Sequence, residues 1–226
     1  MCGITGFVDY GKSITINDLE VLTNTLNHRG PDNKNFVLEK KKNFNIGLGH
    51  TRLSIVDLSI NGNQPITSFD GNKIIIFNGE IYNFKELKKK ILEKNINFKF
   101  FGNSDTEVFL EAINILGLVE TLNLTSGMFA FALLDKQENN IYLCRDRFGQ
   151  KPLFYSTHDN NFIFSSEIKS LNKNLKNKKI DENALSDFFL FNYIKGHKTI
   201  YQEVKNVQPG SLLKYGLESK RITETL

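Results

Sequence analysis

The order of strands and helices in this 226-residue sequence fits an α+β fold, and three observations carry that reading. Apolar, strand-like runs come in neighbouring pairs about short polar turns, at 36–39 with 44–49 and at Gly127–Asp135 with Asn140–Arg145. Around those pairs lie stretches whose apolar residues recur at helical spacing. The length, with a hydrophobic content of 40%, suffices for one large core or for one domain and the beginning of another. Composition by itself leaves several other architectures open.

Taken in order, residues 3–8 are short and apolar, as a first strand requires, and are followed by a turn at 9–12. From Asn17 a helix is expected, with Leu19, Leu22 and Leu26 on one face, ending before Gly30 and Pro31. That makes His28, Arg29, Gly30, Pro31 and Asp32 a loop, whose polar side chains need do no more than stabilise it. The first hairpin turns at 40–43, and Gly49 to Asp57 then mixes apolar and polar residues without helical period. A turn at 61–65 leads to a near-continuous apolar strand at 73–77, expected to stop at Asn78 and Gly79. Residues 83–94 read as a helix with Phe84, Leu87 and Ile91 on one face and with Asn83 and Glu86 spaced as a cap pair. Ser104-Asp105-Thr106-Glu107 has the form of a capping box, opening a helix whose apolar face is Val108, Ala112, Ile113 and Leu116. The second hairpin turns at 136–139; a charged loop at 145–149 precedes strands at 153–157 and 162–165 and a short helix at 166–171. An Asn- and Lys-rich link over 172–179 leads to an aromatic helix at 182–193 and, after Pro209-Gly210, to a last short strand ending near Tyr215. The polar end at 218–226 carries no stop signal and reads as a cut.

Composition narrows the function. No apolar run is long enough to cross a bilayer and the N-terminus lacks a signal-peptide pattern, so a cytoplasmic location and no membrane partner are expected. Cys2 and Cys144 are too few for a disulfide framework, and Cys144 sits in an apolar run. The net charge of +4 comes from scattered lysines, clustered at 40–42, 88–90 and 173–179, without interleaved aromatics, so no nucleic-acid partner is expected. His28, His50, His158 and His197 have no metal-ligand spacing.

Five positions bear on chemistry. Cys2 directly follows the initiator methionine, so trimming would put a thiol and a free α-amine on one carbon, a nucleophile with its base attached. Equally, it can be one small residue entering a strand. Arg52 offers a planar fork for a carboxylate or a structural ion pair. Asn78-Gly79 brings a side-chain amide and a bare backbone to one place, or makes an Asn-Gly hairpin turn. Asp105, in a first helical turn, suits the helix dipole whatever else it does.

Together the motifs Met1-Cys2-Gly3-Ile4, His28-Arg29-Gly30-Pro31-Asp32, Arg52-Leu53-Ser54-Ile55-Val56-Asp57, Phe77-Asn78-Gly79-Glu80-Ile81-Tyr82-Asn83, Ser104-Asp105-Thr106-Glu107, Ser126-Gly127-Met128-Phe129-Ala130-Phe131-Ala132 and Arg145-Asp146-Arg147-Phe148-Gly149 stand in order along the chain. In this the sequence resembles the class II glutamine amidotransferases, and among them the N-terminal glutaminase half of glutamine-hydrolysing asparagine synthetase. The resemblance implies a four-layer αββα sandwich of two antiparallel sheets, the N-terminal nucleophile hydrolase fold. It implies a glutaminase domain over 2–215 with its core at 2–171, and over 216–226 the start of a connector to a synthetase domain outside this chain.

It also implies roles. Cys2, freed of Met1, would be the nucleophile with its own α-amine as base. Asn78 and Gly79 would form the oxyanion hole. Arg52, Leu53, Ile55, Glu80 and Asp105 would bind L-glutamine, Arg52 at its α-carboxylate and Glu80 with Asp105 at its α-ammonium. His28, Arg29, Gly30, Pro31 and Asp32 would close over the substrate. No cofactor is expected in this domain, with ATP and Mg confined to the synthetase domain, which would accept the ammonia on aspartate. A different acceptor for the ammonia, a sugar or another carboxylate, and a non-catalytic regulatory domain of the same fold are the alternatives, and a homodimer stays open.

Overall fold

Alternation along the strands decides the architecture, because successive side chains leave a strand on opposite faces. The computed structural model describes residues 1–225 apart from Val56, Asp159, Asn160, Lys173, Asn174, Lys176 and Asn177. In chain order the elements are β1 (Gly3–Asp9), α1 (Ile16–Asn24), β2 (Asn33–Lys40), β3 (Asn45–Arg52), β4 (Ile66–Thr67), β5 (Lys73–Ile81), α2 (Phe84–Lys94), α3 (Asp105–Leu116), α4 (Leu118–Leu124), β6 (Gly127–Asp135), β7 (Asn140–Arg145), β8 (Phe154–His158), β9 (Asn161–Ser165), α5 (Ile168–Leu171), α6 (Glu182–Phe191), β10 (Lys205–Asn206), β11 (Leu212–Gly216) and β12 (Ile222–Thr225). They form two six-stranded sheets, ordered β10-β8-β9-β1-β3-β2 and β12-β11-β7-β6-β5-β4, with every described pairing antiparallel.

The even residues of β1 and β3, Ile4, Val8, Ile46 and Leu48, meet Ile74 and Ile76 of β5 and Ala130 and Ala132 of β6 in a layer between the sheets. Phe7 points the other way, onto Leu19 and Leu22 of α1 and Leu171 of α5. Ile75, Phe77 and Phe131 leave the opposite face of the second sheet and pack under Val108 and Phe109 of α3 and Leu87 and Ile91 of α2. The result is the expected four-layer sandwich, helices outside and two antiparallel sheets within.

Several local expectations change. β5 does not stop at Asn78: it runs on to Ile81 because β6 pairs with its whole length, from Lys73↔Asp135 to Ile81↔Gly127. Gly79 suits that passage, since an added Cβ would lie 2.2 Å from Met128 O. Asn83 precedes α2 without a side-chain cap bond to its backbone; its amide instead donates to Leu124 O (2.9 Å) and accepts from Ser126 N (2.9 Å), tying α2 to the start of β6. The box at Ser104 is half formed: Ser104 Oγ accepts from Thr106 N, but Glu107 turns back to Phe101 N (2.6 Å) and Gly102 N (2.8 Å). A complete capping box stands instead at Thr15 and Asp18, ahead of α1. Helix α4 was not foreseen. The polar tail supplies β12, which pairs with β11 and carries the second sheet to Thr225. The link expected over 172–179 lies partly outside the described residues. On α6, Phe189 and Leu190 are 76% and 74% exposed, and only Ala184 of that helix is buried.

Candidate active site

The same alternation brings distant residues together at one end of the sandwich. Cys2 has the parity of Ile4 and Asn78 that of Ile76, so both face the layer between the sheets from opposite sides. Cys2, Arg52, Leu53, Ile55, Asn78, Gly79, Glu80 and Asp105 all line one cavity of about 200 Å3. His28, Arg29, Gly30, Pro31 and Asp32 do not line it.

Cys2 Sγ accepts a hydrogen bond from Leu53 N (3.5 Å) across the β1–β3 junction. Burial raises its thiol pKa, against the opposing pull of the Leu53 N–H and of the positive charges at the N-terminus, Arg52 and Arg29. Cys144, the other cysteine, is buried under the helices and its thiol is pushed up to about 12 by burial. Met1 is 55% exposed, so the chain end before Cys2 is accessible.

The 28–32 turn holds Cys2 from behind. Arg29 Nε donates to Cys2 O (2.9 Å), while its Nη1 pairs with Glu167 Oε1 (3.0 Å), which also meets His28 Nε2 (2.8 Å). Burial works against the Glu167 carboxylate, but the bonds from His28, Arg29 and Lys169 outweigh it and hold its pKa low. Gly30 is obligatory, because an added Cβ would lie 2.4 Å from Thr51 O. Asp32 N donates to Arg52 O (3.0 Å) and Asp32 Oδ2 accepts from Ser54 N (2.7 Å), while Pro31 is exposed.

On the facing sheet the backbone of β5 supplies donors. Phe129 N and O are both engaged by Asp146, on the β7 side of β6, so the Gly79↔Phe129 pair is a non-hydrogen-bonded one and Gly79 N–H points away from β6. Its neighbours at the same parity are taken: Phe77 N donates to Gln64 Oε1 (2.6 Å) and Ile81 N to Asp105 Oδ2 (2.8 Å). Gly79 N–H, between them, is free of the ladder. Asn78 is 1% exposed and its Nδ2 has no hydrogen-bond partner. A buried donor left unpaired costs about 1–3 kcal/mol, so this site holds a place for an acceptor.

Opposite charges flank these donors. Asp105, at the first position of α3, accepts from Ile81 N and Thr106 N (2.9 Å); burial nonetheless raises its pKa, with Glu80 adding to the effect. Arg52 is 7% exposed and its fork donates to Ser59 O (2.8 Å), Asn63 Oδ1 (2.8 Å) and Asp57 O, which leaves part of the guanidinium for a ligand. Arg52 is thus a brace for the 57–63 loop through carbonyl oxygens, and among the described residues it makes no carboxylate pair of the kind a structural salt bridge would need. Sequence reasoning missed Gln64, Met128 and Lys151 in the cavity wall, Glu167 behind Cys2, and His50, whose Nε2 lies 3.1 Å from Phe77 O and whose pKa burial pulls down to about 4. Alternation along β6 would have found Met128. The others depend on contacts far apart in sequence.

Among the described residues no group of three or more His, Cys, Asp and Glu side chains is arranged to hold a metal ion, and no helix is long and apolar enough to cross a membrane. A family model described as a glutamine amidotransferase domain matches residues 1–225. The glutamine-hydrolysing asparagine synthetases 1 and 3 of Bacillus subtilis are 37% and 34% identical to the chain, over 93% and 98% of its length. The chain spans only 33% and 36% of those proteins, a third or so of each. The solved glutamine phosphoribosylpyrophosphate amidotransferase of B. subtilis superposes with a TM-score of 0.69 at 17% identity, covering 99% of this chain and 49% of that one, a likeness of fold.

Proposed function

The chain belongs to the glutamine amidotransferase domain family, and from that membership and the cavity we propose that it hydrolyses the side-chain amide of L-glutamine through Cys2. Met1 is removed first. The α-amine of Cys2 then takes the thiol proton, and the thiolate adds to the amide carbon, whose oxygen gains the negative charge. The carbon–nitrogen bond breaks as the amine returns the proton to the leaving nitrogen, releasing ammonia and leaving a glutamyl thioester. Water, deprotonated by the same amine, adds to the thioester, and the sulfur leaves to give glutamate and the free thiol.

The observation that carries this reading is the unpaired side-chain donor Asn78 Nδ2 beside Gly79 N–H, which the β5–β6 register turns away from the ladder, in the cavity that Cys2 also lines. They suit an oxyanion, each worth about 3 kcal/mol of transition-state stabilisation. Arg52 would hold the α-carboxylate and Asp105 with Glu80 the α-ammonium, while Leu53 positions sulfur through its N–H and Ile55 borders the mouth. Recognition of both α-charges excludes glutamine residues inside proteins, which lack them. The 28–32 turn, through Arg29, would set Cys2 and close over the substrate.

By analogy with the longer relatives, the ammonia would pass to a following ATP- and Mg-dependent domain that amidates aspartate. The test is ammonia and glutamate release by chain whose mass corresponds to loss of Met1. Chain that keeps Met1 should be inactive, and equal activity of the two forms would remove the α-amine from the mechanism.

A further inference from the structure

The loop after β7 is braced more heavily than a turn of its length requires. Arg145 donates from Nε to Lys151 O (2.7 Å), from Nη2 to Gly149 O (2.6 Å) and from Nη1 to Val207 O (2.9 Å) and Asn206 Oδ1 (2.8 Å). Asp146 accepts Phe148 N and Gln150 N on one carboxylate oxygen, and Lys151 N (3.0 Å) with Phe129 N on the other. Both backbone groups of Lys151 are therefore held, and through Asp146 they are tied to the strand that pairs with Gly79.

This bracing presents one unusual side chain. Lys151 is 8% exposed and lines the Cys2 cavity, and among the described residues its ammonium has no hydrogen bond or ion pair. Of the cavity's carboxylates, Asp57 accepts from Ser59 N and Asn103 N and Asp105 from Ile81 N and Thr106 N, while Glu80 lines the same cavity without an ion pair to Lys151 among the described residues. With the rest of the side chain buried, the ammonium keeps its open surface on the cavity side, where an arriving anion would meet it. Leu153, two residues on, belongs to the layer between the sheets, the layer that Asn78 also faces. The cavity thus holds Lys151, Asn78 Nδ2 and Gly79 N–H, donors without acceptors.

Resting on the glutamine-hydrolysis reading above, we propose that Lys151 is a third donor at the amide end of the cavity. Its ammonium stabilises the side-chain oxygen of glutamine as that oxygen becomes negative, and afterwards the side-chain carboxylate of the glutamate product. The role adds charge to the two neutral donors, and it explains why the Arg145–Gly149 segment is held so firmly although none of its own side chains enters the cavity.

The test compares wild type, Lys151→Met and Lys151→Arg, all freed of Met1, in kcat and KM for glutamine, in inhibition by glutamate and in melting temperature. For Lys151→Met we expect kcat to fall about 100-fold with KM within about threefold, as for loss of an oxyanion donor. Glutamate inhibition should weaken, and the melting temperature should not fall, because the ammonium holds no hydrogen bond or ion pair among the described residues. Lys151→Arg should recover much of the lost kcat. An unchanged kcat in an active protein overturns the role of Lys151 alone. A fall in kcat together with a lower melting temperature, unrescued by Arg, assigns Lys151 to structure and also overturns the proposal. Absence of glutamine hydrolysis by the trimmed wild type sinks the functional reading and this inference with it.

Discussion

Substituting Arg52 by Lys probes the loop bracing seen in the structure and the substrate clamp proposed for the same guanidinium. Arg52 joins β3 to the 57–63 loop through Asp57 O, Ser59 O and Asn63 Oδ1, and the remainder of its fork opens to the cavity. A lysine ammonium is a compact point charge on a flexible four-carbon stem, without the planar fork, and can keep about one of those three bonds. With charge-assisted bonds worth roughly 1.5 kcal/mol each at the low end, the loss is about 3 kcal/mol. For a domain of this size that is a fall in melting temperature of roughly 6–12 °C. If the same fork clamps the α-carboxylate of glutamine, loss of the planar pairing should also raise KM by tens of fold, about 2–3 kcal/mol. Asn63→Ala separates the two effects, since it removes one loop acceptor and leaves the guanidinium charge: its melting temperature should fall with KM nearly unchanged. Thermal melts and steady-state glutamate release on the three proteins decide the matter. A Lys variant that melts like the wild type refutes the bracing role, and one that keeps the wild-type KM refutes the clamp.

Cys2→Ala should abolish ammonia release while leaving the melting temperature near that of the wild type, and a diazoketone analogue of glutamine should label Cys2 but not Cys144, whose thiol burial pushes up to about 12; mass spectrometry of tryptic peptides reads the second outcome, and labelling of both thiols would speak against a specific site. Asn78→Ala removes a buried donor that has no partner, so kcat should drop about 100-fold with no loss of thermal stability; a destabilised variant would mean the amide is structural. Glu167→Gln should lower the melting temperature at neutral pH and slow turnover, because the Arg29 that holds Cys2 O loses its counter-charge. The Glu167 carboxylate is held below its ordinary 4.5, so its stabilisation is present above that value and is lost as the pH falls through the folded pKa. The gap in melting temperature between variant and wild type should therefore close in acid, and a gap independent of pH would exclude the ion pair as its cause.

The sequence by itself determined most of the elements, because they are written in local periodicity, while the layers came from the resemblance that its ordered motifs carry. The hairpins at 127–145, the helix faces of Leu87 with Ile91 and of Val108 with Ile113, and the burial of Cys144 are each visible within a window of a dozen residues. The ordered motifs pointed to the same set of cavity residues that the fold gathers, from Cys2 through Asn78 to Asp105. What the tertiary structure decided was how those residues are held. That Gly79 N–H is free follows only from the register of β5 on β6 and from Asp146 occupying Phe129, which no single strand pattern reveals. That Arg52 braces a loop, that Glu167 stands behind Arg29, and that Lys151 enters the cavity depend on partners brought together by the pairing of β1 with β3 and β9 and by the stacking of the two sheets. The even extension of β5 past Asn78 has the same origin: propensity stops a strand at Asn-Gly, but a partner strand long enough to satisfy its backbone carries it through.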